Sequence, residues 1–201
     1  MGLSVFPEAT AASPLPRAVN VFTSTGTYTV PAGATWAHIT AVGGGGSGGA
    51  TNATSRACAG GGSGSFIETW VAVTAGATHT VTIGAAGAAR AADAPSANGN
   101  AGGTTSVGTL VTNVYGGGGG ISRAGFAPGG IGERPGEVGP VYYNGAVVYN
   151  VGAGASGFFG GVQAGAGSTT GGNGYGSGGG GGEINVTSGA GTAGYVRIVS
   201  Y

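Results

Sequence analysis

With 201 residues, six arginines, no lysine and six acidic residues, the chain has a formal net charge of zero and lacks the basic field that nucleic-acid binding needs. No apolar run approaches eighteen residues, and the start Met1-Gly2-Leu3-Ser4-Val5-Phe6 has neither a basic stretch nor a myristoylation signal. Membrane insertion is therefore not expected, and synthesis in the cytosol is.

In chain order, residues 1–20 read as an extended arm with Pro7, Pro14 and Pro16, followed by one domain over residues 21–201. Val19–Phe22, Thr27–Val30 and Trp36–Val42 read as short strands in a meander, with Gly26 and Pro31-Ala32-Gly33 as turns. In Ser65–Val73, Ile67, Val71 and Val73 alternate with Phe66, Glu68, Trp70 and Ala72, giving one aliphatic face. Further strands are expected at Thr78–Ile83, Thr104–Val107, Leu110–Tyr115 and Tyr195–Tyr201, the last closing a sheet begun near residue 20. No stretch has a helical period.

Between the strands lie glycine runs, and glycine makes up 51 residues in all. Only 6% of residues are charged, too few for a swollen soluble coil, so an ordered glycine-rich fold is favoured over flexible linkers. Collagen needs glycine strictly at every third position and far more proline than the eight present. What remains is the polyproline-II conformation without proline, three residues per turn with every N–H and C=O pointing sideways, which is stable only in bundles. A Cβ at a contact position holds such backbones apart. The fold class is therefore all-β with a glycine-rich polyproline-II (polyglycine-II) helix bundle and no α-helix. The best candidate helices are 152–161 and 171–182, with 43–49, 60–64, 116–120 and 125–132 as partners.

The order of pieces resembles the glycine-rich tip modules of tailed-phage tail fibres and receptor-binding adhesins. The pieces are Phe22 to Gly26, Thr29-Val30-Pro31-Ala32-Gly33, and Ile39-Thr40-Ala41-Val42 running into Gly43–Gly46. They continue through Gly60-Gly61-Gly62-Ser63-Gly64, Val73-Thr74-Ala75-Gly76-Ala77-Thr78, Val81-Thr82-Ile83-Gly84, Gly102-Gly103-Thr104-Thr105-Ser106, Tyr115 with five glycines, and Gly194-Tyr195-Val196-Arg197-Ile198. The usual proline-glycine turn reads Ala75-Gly76 here. The resemblance implies a virion protein at a fibre or tail tip, a rigid bundle whose loops gather at one end to touch a bacterial surface receptor, protein or polysaccharide, and a homotrimer. Residues 1–20 would dock on another fibre or baseplate protein. A purely structural virion component, a decoration or connector, is the alternative.

By subtraction the loops are 50–58, 88–98, 121–123, 133–150, 162–163 and 183–188. Val141-Tyr142-Tyr143-Asn144-Gly145-Ala146-Val147-Val148-Tyr149 joins two β-prone runs by Asn-Gly, the strongest short hairpin signal. Tyr142, Tyr143, Asn144 and Tyr149, with Phe158 and Phe159, are the candidate receptor-binding residues, since tyrosine gives rigid amphipathic contact area. The same aromatics also fit packing against a bundle that lacks side chains of its own.

Catalytic signals are weak. Gly152-Ala153-Gly154-Ala155-Ser156-Gly157 matches a dinucleotide-binding pattern, yet no helix follows and Gly43–Gly48 matches it as well. His38 and His79 lack a second ligand at metal spacing, and Cys58 is the sole cysteine. Asp93, Glu133 and Glu137 are loop carboxylates that nothing pairs for glycoside hydrolysis. No enzyme activity, metal or cofactor is expected.

Overall fold

The computed structural model describes residues 15–53, 56–124, 152–158 and 171–201. Among them are ten strands and no helix: β1 (Ala18–Phe22), β2 (Gly26–Thr29), β3 (Trp36–Val42), β4 (Arg56–Cys58), β5 (Phe66–Ala72), β6 (Thr78–Thr82), β7 (Thr105–Val107), β8 (Val111–Val114), β9 (Ser122–Ala124) and β10 (Tyr195–Ser200). Two four-stranded antiparallel sheets form, ordered β1-β10-β3-β5 and β2-β6-β7-β8, with a separate β4-β9 pair.

The expected closure by the C-terminal strand is observed, since β10 lies between β1 and β3 with Asn20 opposite Ile198 and Ile39 beside it. The expected meander is not. β2 joins the other sheet, so β1, β2 and β3 are never successive neighbours. The reason is the core: Tyr28 of β2 is fully buried against Ile39, Val81, Val107, Val196 and Ile198, which requires β2 to face β3 rather than pair with it. Alternation on β3 makes room for that ring, because Ala37, Ile39 and Ala41 point inward and two of the three are alanine. The Tyr28 hydroxyl shares a 2.8 Å hydrogen bond with Ser200 Oγ, linking the two sheets.

Two turns demand glycine. Gly33 has φ +75° in the Pro31–Ala34 turn, closed by Ala34 N–H to Pro31 O at 3.1 Å. Gly76 has φ +79° in the Thr74–Ala77 turn, closed by Ala77 N–H to Thr74 O at 3.0 Å. Both are the third position of a turn that needs positive φ there, so Ala75-Gly76 performs the turn without a proline.

Beyond the sheets the glycine runs lie side by side, and their hydrogen bonds follow a three-residue period. Gly43, Gly46 and Gly49 donate to Ser65, Gly62 and Ala59. Gly44, Ser47 and Ala50 donate to Gly103, Asn100 and Ala97, while Gly45 and Gly48 donate to Thr192 and Gly189. In each series the partner numbers fall, so these three neighbours run antiparallel to 43–50. Three more neighbours donate back: Gly117 and Gly120 to the carbonyls of Gly44 and Ser47, Gly179 and Gly182 to those of Gly46 and Gly49, and Gly87 to that of Gly45. Bonds also connect the neighbours in a closed ring, 59–65 to 115–121 (Gly62 to Gly118), to 97–103 (Gly102 to Gly117), to 84–87 (Gly103 to Ala85), to 189–194 (Gly194 to Gly84), to 176–182 (Gly189 to Gly180), and back to 59–65 (Gly61 to Gly179). Six runs therefore surround one, and residues 41–50 are all buried.

Some run boundaries differ from expectation. The run 171–182 is broken by positive φ at Gly174 and Gly176, and only 176–182 belongs to the ring. Arg56–Cys58, Ser122 and Arg123, expected as loop, belong to the paired strands β4 and β9. Residues 125–132 and 159–161 lie outside the described residues. β1 begins at Ala18, so the sheet takes in the last residues assigned to the arm.

Thr105 joins sheets to bundle. Its buried hydroxyl donates to Val42 O at 2.8 Å and accepts from Gly84 N–H at 2.9 Å. Thr105→Val keeps the shape but orphans two buried backbone groups, so it is expected to cost roughly 2–3 kcal/mol, measured by urea unfolding.

Candidate functional site

The direction of the runs separates two ends. Runs 43–50 and 115–121 leave β3 and β8, whereas 59–65, 97–103 and 189–194 enter β5, β7 and β10. The sheets thus occupy one end, and the connections 51–58, 88–96, 122–151 and 183–188 all depart from the other.

At that distal end the bases of the connections are tied together. Thr51, 1% exposed, donates its hydroxyl to Pro95 O at 2.7 Å and accepts from Ala53 N–H at 3.0 Å. Its carbonyl accepts from Asn185 N–H at 2.9 Å, and Asn52 N–H donates to Ala94 O at 3.1 Å. One residue thereby links three connections. Ser122 ties in the fourth: its N–H donates to Asn98 Oδ1 at 2.9 Å and its carbonyl accepts from the Ser96 hydroxyl. Arg90 N–H donates to Ser188 Oγ at 2.9 Å while Ser188 N–H donates to Arg90 O at 3.0 Å. Asn185 takes φ +62°, a left-handed turn that asparagine tolerates.

The surface left over is polar and mixed in charge, with Asn52, Arg90, Asp93, Asn98, Asn185 and Thr187 exposed. Such a rim offers hydrogen-bond donors and acceptors held on a rigid base. Among the described residues, no three His, Cys, Asp or Glu side chains gather as a metal site.

Ala124 in β9 and Gly152, whose N–H donates to Cys58 O at 2.8 Å, flank the segment 125–151 and both sit at this end. Tyr142, Tyr143, Asn144 and Tyr149 fall within that segment, and they and Phe159 lie outside the described residues. Phe158 is described, and it is elsewhere. Gly152 and Ala155 donate to Cys58 and Gly61, so 152–157 runs parallel to 59–65 and returns toward the sheets. Phe158 is 46% exposed and stacks on Phe66, the first residue of β5, at 3.4 Å between ring centroids. Phe158 thus packs on β5 at the end opposite to where 125–151 begins and ends.

The glycine pattern at 152–157 also serves packing. A Cβ on Gly154 would collide with Gly178 O, and one on Gly157 with Tyr175 O. Cys58 is buried, not looped out: its thiol donates to Ser122 Oγ at 3.5 Å, and burial pushes its pKa up, outweighing the lowering by that hydrogen bond. A neutral, enclosed thiol is a poor nucleophile. Alkylation by iodoacetamide at pH 8 is expected to be negligible in the native protein over hours and complete within minutes in denaturant, as read by mass spectrometry.

Sequence reasoning missed one pair. β3 and β5 bring His38 Nε2 within 3.1 Å of Glu68 Oε1, across strands that lie 30 residues apart in the chain. The cross-strand register that makes them neighbours is not visible in the spacing.

Among known families, the model that matches this chain covers residues 21–201 and is described as a glycine-rich domain. No curated protein matches it.

Proposed function

The chain belongs to the glycine-rich domain family, and on that premise we propose that it is a recognition module rather than an enzyme, displayed at the fibre or tail tip of a tailed phage. Loops at the distal end of the bundle bind a bacterial surface receptor, and residues 1–20 attach the module to another fibre or baseplate protein. The observation that carries this reading is the departure of four connections, 51–58, 88–96, 122–151 and 183–188, from the end opposite the sheets. A scaffold built this way holds polar segments together and keeps them away from the attachment end.

In this reading the glycine runs are polyglycine-II helices in hexagonal array. The three-residue alternation of partners supports it, because a helix of three residues per turn presents successive N–H groups at three directions and successive carbonyls at the three between them. An α-helix or strand cannot do so, since the first bonds within itself and the second to two neighbours at most.

The test is binding of the purified, fluorescently labelled protein to a panel of intact bacteria. Saturable, strain-selective binding is expected. Association with particle components and with no strain would instead identify a decoration or connector protein.

A further inference from the structure

We propose that the outward face of the β1-β10-β3-β5 sheet is a second binding site, an aromatic platform for a neutral saccharide, distinct from the distal loops. Antiparallel register decides which residues share that face. Ala37, Ile39 and Ala41 point into the core, so Trp36, His38 and Thr40 point out. Trp70 lies opposite His38, Glu68 and Arg197 lie opposite Thr40, and Tyr201 N–H bonds to Trp36 O at 2.9 Å at the next position along.

Apolar rings on this face stay in water. Trp70 is 56% exposed and Trp36 50%, and together they are the chain's two tryptophans. Trp70 is nevertheless held in place, with its ring centroid 4.7 Å from that of His38 and 5.0 Å from that of Tyr201. His38 Nε2 in turn sits 3.1 Å from Glu68 Oε1 and fixes that carboxylate. The face thus combines a flat, immobilised indole with a carboxylate one row away and an exposed guanidinium across from it.

That combination matches a pyranose ring. A sugar has an apolar C–H face that packs on the negative face of an indole, and hydroxyls at its rim that donate to a carboxylate and accept from a guanidinium. Glu68 and Arg197 carry opposite charges in the same row, so the face has no net sign and favours a neutral ligand. Size argues against a protein as occupant. Four strands and about six residues along each give a face of roughly 300–400 Å². A stable protein interface needs about 800 Å² on each partner.

Because both tryptophans lie here, intrinsic fluorescence reads this face alone. The intact protein is titrated with neutral oligosaccharides of two to six units, built from glucose, galactose, mannose or N-acetylglucosamine. At least one series is expected to give a saturable change in tryptophan emission. Trp70→Ala, read through the remaining Trp36, should weaken that binding at least tenfold with an unchanged melting curve, and Trp70→Phe, which keeps a ring, should recover most of it. Glu68→Gln should weaken it several-fold. No saturable change with any series would overturn the proposal. So would sedimentation showing a dimer whose dissociation red-shifts the emission, because the face would then be covered by a second copy. Loss of distal receptor binding leaves this proposal standing, since the platform is at the sheet end.

Discussion

Gly45→Ala is expected to destabilise the protein by at least about 3 kcal/mol, a drop in Tm of roughly 6–12 °C by calorimetry. The added Cβ would sit 1.9 Å from Ser177 O, and backbone cannot turn aside as a flexible side chain does. Moving the 176–182 run away would break its bonds to 43–50 and to 59–65 together, because Gly179 donates to Gly46 O while its own carbonyl accepts from Gly61. The same holds on other sides of the centre, where a Cβ on Gly46 would meet Gly118 O and one on Gly44 would meet Ala85 O. Gly171→Ala is the control: among the described residues its Cβ would meet only Ala190 O, at an ordinary 3.4 Å, so a change within about 0.5 kcal/mol is expected.

The second large effect concerns recognition. Replacing Tyr142, Tyr143 and Tyr149 together by serine is expected to lower bacterial binding at least a hundredfold while leaving Tm within about 2 °C. A tyrosine anchor at an interface contributes roughly 1–2 kcal/mol, so three lost together exceed the 2.7 kcal/mol equivalent to that factor. Unchanged melting is the informative half, because tyrosines that packed against the bundle would lower Tm when removed. Retained binding with a lowered Tm would assign them to packing.

Much of the sheet end was legible. Alternation over Trp36–Val42 and Ser65–Val73, and the closing strand Tyr195–Tyr201, correspond to β3, β5 and β10. What alternation could not give is which sheet each strand joins, since that depends on where Tyr28 finds a cavity of its own size. The glycine runs were half legible. Near-continuous glycine marks the central run and also 116–120 and 178–182 of the ring, whereas other outer runs carry glycine only on the side that faces a neighbour. Gly84 and Gly87 are buried while Ala85 and Ala86 between them are exposed. Gly99 with Gly102, and Gly191 with Gly194, repeat the spacing, and each of these glycines directs its missing Cβ at a backbone carbonyl. A three-residue glycine period within short segments, rather than along the whole chain as in collagen, was the signal for the runs 84–87, 97–103 and 189–194. At the distal end, Thr51 and Ser122 gave no sign in the sequence, because their partners come from connections far apart in the chain.

The measurement that bears most directly on this account is amide hydrogen exchange of residues 43–50, resolved by NMR at neutral pH. A central run bonded on six sides opens only when the whole domain unfolds, so its amides are predicted to exchange as slowly as those of Ile39 and Ile198 in the sheet core. Exchange of Gly44, Gly45 and Gly46 at the seconds-scale rate of an open glycine linker, with the sheets still protected, would contradict it.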